Sequence, residues 1–255
     1  MFGEWILALK NLFLPIFCQI CGRRLLTEEN GFFCPTCWEQ SPRITRPFCT
    51  VCGRPHPGMV GFGMPTNFPC TRCRALGEQP FRRIYGAARY EGAVAEAVKR
   101  FKFYDRPHLS HPLAELMTEF AALELPHDAY ECVIPVPLHR VRLRERGFNQ
   151  SELLAQRVLP LFPNARLDLS LRRIRRTKVQ SRIRDEAERR ANVRGAFAVE
   201  GEGLDGATVL LIDDVVTTGG TVTECAKALR DAGVDTVDIF AVALAGHAGA
   251  SPLGA

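Results

Sequence analysis

Two adjacent carboxylates, Asp213 and Asp214, are followed closely by Thr217, Thr218, Gly219, Gly220 and Thr221. Glycines let backbone N–H groups approach an anion, and threonine hydroxyls add further donors. A helix opening at the end of such a run adds unpaired N–H groups and partial positive charge. Paired carboxylates beside that cradle suit a sugar diol, a Mg²⁺ ion, or both. The implied ligand is a phosphorylated sugar with vicinal hydroxyls. A plain turn capped by threonines is the simpler alternative, but two acids at the end of a buried strand are costly without a partner.

The elements that must position these residues lie on either side. Residues 209–212 form a short apolar, partly β-branched run, as in a strand buried on both faces, with the acids at its carboxyl end. Val222, Ala226 and Leu229 follow at helical spacing, and Gly233 stands where a C′ residue belongs. Residues 84–90, 131–136, 167–171, 196–199 and 237–244 also read as strands, and 93–102, 113–123 and 149–159 as helices. Alternating strands and helices with apolar strand cores imply a parallel, doubly wound α/β sheet. Pro135 and Pro137 stop one strand and leave 138–146 as an expected loop carrying Arg140, Arg142, Arg144 and Arg146. In the following Arg146-Gly-Phe-Asn-Gln150, Gly147 suits a positive φ and Asn149 suits a helix N-cap, which by itself explains the motif.

Ten cysteines occur, and eight form four Cys-x-x-Cys pairs: Cys18/Cys21, Cys34/Cys37, Cys49/Cys52 and Cys70/Cys73. Each pair makes a knuckle, and two knuckles complete a tetrahedral four-thiolate zinc site. Cys-x-x-Cys-Gly-Arg occurs twice, with Gly22 and Gly53 where a knuckle turn needs positive φ. Two structural zinc ribbons in tandem are expected, with knuckles paired sequentially or interleaved. No export signal favours a disulfide framework, and a redox motif needs only one pair. Zinc would replace the apolar core that this segment lacks. Cys132 and Cys225 stand alone and read as small buried apolar residues.

The chain has 255 residues, with 46% apolar and 24% charged residues, as in ordinary globular proteins. Its net charge of +5 is unevenly placed, since residues 139–194 carry 16 Arg/Lys against 6 Asp/Glu. A basic middle implies phosphate-rich ligands, either small or nucleic acid. The stretch 172–194 holds ten of these cations and reads as a solvated helix face or a mobile flap. At the start, Trp5, Leu9, Leu12 and Phe13 share one helical face, favouring a short packed amphipathic helix over a membrane anchor. No later stretch is long enough to span a bilayer, and a cytoplasmic location is expected.

Residues 209–221 run as four apolar residues, two acids, two apolar residues, then Thr-Thr-Gly-x-Thr. This pattern resembles the 5-phosphoribosyl-1-pyrophosphate (PRPP) signature of type I phosphoribosyltransferases. The resemblance widens with Val136-Pro-Leu-His139, Arg146-Gly-Phe-Asn-Gln150, Thr177, Gln180, Arg190, Asn192 and the cysteine knuckles. In this order they resemble the ComF family.

That resemblance implies a zinc-ribbon module with an N-terminal helix over 1–80, a phosphoribosyltransferase-like domain over 81–245 and a disordered tail over 246–255. It implies that Thr217, Thr218, Gly219, Gly220 and Thr221 hold a ribose 5-phosphate. Asp213 and Asp214 would meet the ribose hydroxyls, directly or through Mg²⁺, and His139 and Arg140 would face the pyrophosphate. Arg146, Asn149 and Gln180 would join the substrate site, and Arg182 would act from a flap closing over it. Thr217 stands where purine-salvage relatives carry a basic carboxylate, and no aromatic hood is evident, so the acceptor is not identified. Three readings follow: a PRPP-dependent transferase, a PRPP-binding protein without turnover, and a DNA-uptake factor. The last would bind single-stranded DNA and a partner protein such as a competence helicase.

Overall fold

The computed structural model describes residues 15–25, 32–56, 66–103, 106–175 and 191–246. The expected N-terminal helix, Thr177, Gln180, Arg182 and Arg190, and the tail beyond Gly246 lie outside the described residues.

Five parallel strands form the central sheet: β3 (Arg83–Arg89), β4 (Cys132–Pro135), β5 (Arg166–Leu167), β8 (Thr208–Val216) and β9 (Thr236–Leu244), in the order β3-β9-β8-β4-β5. Residues 237–244 of β9 are all buried, so both faces of the sheet are covered. Asp238 sits inside that run, fully buried. Arg82 grips its two oxygens at 3.0 and 2.6 Å, and the Tyr130 hydroxyl donates to one of them at 2.8 Å. A charge in a strand core is tolerable only with such partners.

Helices α3 (Gly92–Phe103), α4 (Ser110–Glu124), α6 (Gln150–Val158) and α7 (Gly220–Asp231) follow the strands as the apolar spacing predicts. Helices α4 and α6 pack on each other and on the sheet, while α7 packs on β8 and β9 and on an outlying hairpin. That hairpin joins β6 (Leu171–Arg173) to β7 (Phe197–Val199), antiparallel and outside the main sheet.

Three sequence expectations need correction. The strand expected over 167–171 is two strands in two sheets. Asp168 accepts the N–H of Ser170 at 2.8 Å, an Asx turn that breaks the extended run. The loop expected over 138–146 contains helix α5 (Arg140–Arg146). The prolines end β4 but do not oppose a helix starting beyond them, and His139 and Gly147 cap its two ends. Finally, β8 does not stop at the acids. It runs on to Val216 because Val215 and Val216 keep their parallel register with Ala243 and Leu244.

The cysteine segment contributes two short strands, β1 (Ile16–Phe17) and β2 (Arg24–Leu25), and helices α1 (Pro35–Glu39) and α2 (Thr71–Ala75). It also covers the β3 edge of the sheet. Val51 accepts from Ile84 N at 2.8 Å, Pro42 accepts from Arg89 N at 2.8 Å, and Ile44 N donates to Ala87 at 3.0 Å. An open parallel edge is thereby paired. Gly53, at φ 69°, makes the approach possible, since a Cβ there would stand 2.4 Å from the carbonyl oxygen of Ile84. Phe33, Trp38, Ile44 and Phe48 pack into the same apolar core as the sheet and helices.

Candidate functional site

Strand β8 delivers Asp213 and Asp214 side by side, both buried. Their surroundings differ. Asp213 Oδ1 accepts from the Ser151 hydroxyl at 3.2 Å and from Asp214 N at 2.9 Å. Burial, and then the charge of Asp214, push Asp213 up to about 7, against the pull of Lys102 and these hydrogen bonds. Asp214 Oδ1 lies 2.8 Å from Lys102 Nζ, in the last turn of α3. Burial works against the charge on Lys102, but the two carboxylates outweigh it and hold the ammonium above its ordinary value.

Asn149 builds the neighbouring wall. It caps α6, its Oδ1 accepting from Ser151 N at 3.2 Å, as the motif predicts. Its Nδ2 also donates to Val136 O at 3.2 Å, which ties the start of α6 to the chain leaving β4. Ser151, held this way, reaches Asp213. Between them in sequence, Gln150 is 1% exposed, and its amide nitrogen has no hydrogen-bond partner among the described residues.

The glycine-threonine loop follows directly. Thr217, Thr218, Gly219, Gly220 and Thr221 are all half-buried. Gly219 takes φ 85° as the N-cap of α7, a conformation that favours glycine. His139 caps α5, its Nδ1 accepting from Val141 N at 3.3 Å, and Arg140 is exposed. Burial draws Arg146 below the ordinary guanidinium value, opposed by the field of Asp214. Arg173 on β6 responds similarly, with burial opposed by Cys225 and Asp213.

The structure thus brings Asp213, Asp214 and, through Ser151, Asn149 to one place beside the loop. It adds Lys102 and Ser151, which the sequence does not single out. Lys102 lies in an ordinary amphipathic helix, and Ser151 follows a cap residue. Neither carries a local signal, because each acts across the fold.

The cysteines form two separate sets, and the knuckles pair sequentially. Cys18, Cys21, Cys34 and Cys37 converge, as do Cys49, Cys52, Cys70 and Cys73, with all sulfurs of a set within 4.8 Å of one another. Cys21 and Cys34 are 3.8 Å apart, and Cys52 and Cys70 4.0 Å. Tetrahedral zinc with bonds of about 2.3 Å sets its sulfurs about 3.8 Å apart, so both sets fit the ion. Cys49 Sγ accepts N–H groups from Val51, Cys52 and Cys70 at 3.4, 3.5 and 3.2 Å, a geometry suited to a thiolate. Cys132 and Cys225 are fully buried, as expected. Among the described residues no helix is long and apolar enough to cross a membrane.

Residues 9–75 match the double zinc ribbon domain family, and residues 148–253 match the phosphoribosyl transferase domain family. The five-stranded parallel sheet is accordingly of phosphoribosyltransferase type, joined to an N-terminal zinc-ribbon module. The DNA utilization protein YhgH of Salmonella typhimurium is 30% identical over 90% of this chain and 97% of its own. Competence protein F of Haemophilus influenzae is 29% identical over 91% of this chain and 99% of its own. Competence protein ComFC of Bacillus subtilis is 25% identical, covering 82% of each chain.

Proposed function

This chain belongs to the ComF family, and we propose that it binds PRPP with Mg²⁺ at the 213–221 segment and transfers or holds the phosphoribosyl group. One observation carries this reading. A buried acid pair with a single lysine against it leads into a glycine-threonine loop that opens a 12-residue helix. Burial, and then the charge of Asp214, raise Asp213 to about 7. Hydroxyl donors or a divalent cation would relieve that cost.

In this reading the loop N–H groups and the Thr217, Thr218 and Thr221 hydroxyls hold the 5-phosphate. Asp213 and Asp214 accept from the ribose hydroxyls, with Ser151 fixing the orientation of Asp213. The two carboxylates would hold Mg²⁺, which supplies charge neutralisation to the pyrophosphate. His139, Arg140 and Arg146 border the pyrophosphate side, where cations favour departure of the leaving group. Gln150 offers a buried donor beside Ser151.

Calorimetric titration of the zinc-loaded chain with PRPP and Mg²⁺ tests the reading. Binding is expected in the wild type and is lost in the double variant Asp213→Asn/Asp214→Asn. Absence of binding in the folded wild type would overturn it.

A second reading has support of its own. The relatives carry names of DNA utilization and competence, and helix α5 carries Arg140, Arg142 and Arg144. Single-stranded DNA bound there would weaken steeply with salt. DNA binding insensitive to salt would count against it.

A further inference from the structure

The two Cys-x-x-Cys-Gly-Arg repeats end in arginines with different surroundings. Arg23 is exposed, whereas Arg54 is half-buried against the α/β part. The backbone of Arg54 belongs to the second knuckle, its carbonyl accepting from Cys49 N at 2.9 Å. Its guanidinium leaves the knuckle. Nη2 donates to the carbonyl of Thr217 at 2.5 Å, and Nε donates to the carbonyl of Ala245 at 3.2 Å. These carbonyls follow the last residues of neighbouring strands β8 and β9, where the ladder ends and acceptors must find other donors. A planar guanidinium can serve both at once.

The same knuckle is keyed to the sheet at two more points, through Val51 O to Ile84 N and through the close approach of Gly53 to Ile84. Beyond these contacts a gap lies between the described residues of the second ribbon and the loop. A cavity of about 500 Å³ separates them, lined by Arg72, Cys73 and Leu76 on one side and by Thr218, Gly219 and Thr223 on the other. Among the described residues, Arg54 reaches from the ribbon to the base of the loop across this space.

We propose that Arg54 is a positioning residue through which the metal-filled second ribbon sets the path of the chain out of β8. The orientation of the loop N–H groups then depends on Cys49, Cys52, Cys70 and Cys73 being closed around zinc. This inference rests on the reading of residues 217–221 as the phosphate-holding loop. It predicts that ligand affinity at the loop is linked to the ribbon, although no ribbon residue need touch the ligand.

The test uses the full zinc-loaded chain with Arg54→Ala, Arg54→Lys and, as a control, Arg23→Ala. Three quantities are measured: zinc per chain, hydrogen exchange of a peptide spanning the loop, and PRPP affinity with Mg²⁺. Arg54→Ala is expected to keep both zinc ions, exchange its loop amides faster and bind PRPP roughly tenfold more weakly. Arg54→Lys, which keeps the stem and charge but not the fork, should fall between it and the wild type. Unchanged loop exchange in both Arg54 variants would overturn the inference, as would an equal effect from Arg23→Ala. If the wild type binds no PRPP, the ligand reading falls separately, and loop exchange still decides the role of Arg54.

Discussion

Lys102 Nζ stands 2.8 Å from Asp214 Oδ1, while the adjacent Asp213 is met by the Ser151 hydroxyl at 3.2 Å. Neighbouring carboxylates on one strand are therefore held by different elements, α3 on one side and α6 on the other. One is matched by charge and the other by a neutral donor.

Lys102→Met removes that charge and leaves the buried Asp214 carboxylate without its ammonium partner. A loss of about 3 kcal/mol in urea unfolding of the zinc-loaded protein is expected. Most of the loss should be recovered in Lys102→Met/Asp214→Asn, because the variant no longer buries an unpaired carboxylate there. Strictly additive losses would show that the two side chains are not coupled.

The protonation of Asp213 makes stability depend on pH. Its pKa in the folded protein, about 7, lies above the ordinary 3.8, so between those values the folded state retains a proton that the unfolded chain has released. Its contribution is full below the lower value and is lost as pH rises through the upper one. Asp213→Asn removes this dependence. In Mg²⁺-free buffer the variant should gain on the wild type from about pH 5.5 to about pH 8, by roughly 1–2 kcal/mol or about 3–6 °C in Tm. An offset that stays constant with pH would argue against a raised pKa.

The second metal site should protect the edge of the sheet. Ile84 N donates to Val51 O, which lies between Cys49 and Cys52. Cys49→Ser should cost one of two zinc ions and speed exchange of the Ile84 amide about tenfold or more. Amides shared between β8 and β9 should exchange as before. If Ile84 kept its protection without the metal, the ribbon would be a cover rather than a partner of that edge.

Much of this architecture is legible locally. Apolar runs mark β8 and β9, cysteine spacing marks the knuckles, and Asn149 marks the start of a helix. Each rule acts within a few residues, through backbone sterics, capping or strand burial. The failures come where a competing local interaction wins. The Asx turn at Asp168 splits an expected strand, and the caps at His139 and Gly147 turn an expected loop into α5.

Residue order alone accounts for the acid pair, the glycine-threonine loop, the four cysteine knuckles and an α/β sheet to carry them. Long-range packing settles how the knuckles pair, what meets the acids and what holds the loop. Ser151 reaches Asp213 across 62 residues of chain, and Arg54 reaches Thr217 across 163. Such pairs follow from strand order, which places β8 between β9 and β4, and from the ribbon lying along the β3 edge. No periodicity or spacing encodes them, because contacts between distant segments depend on how whole elements pack, while local patterns record only which face each element buries.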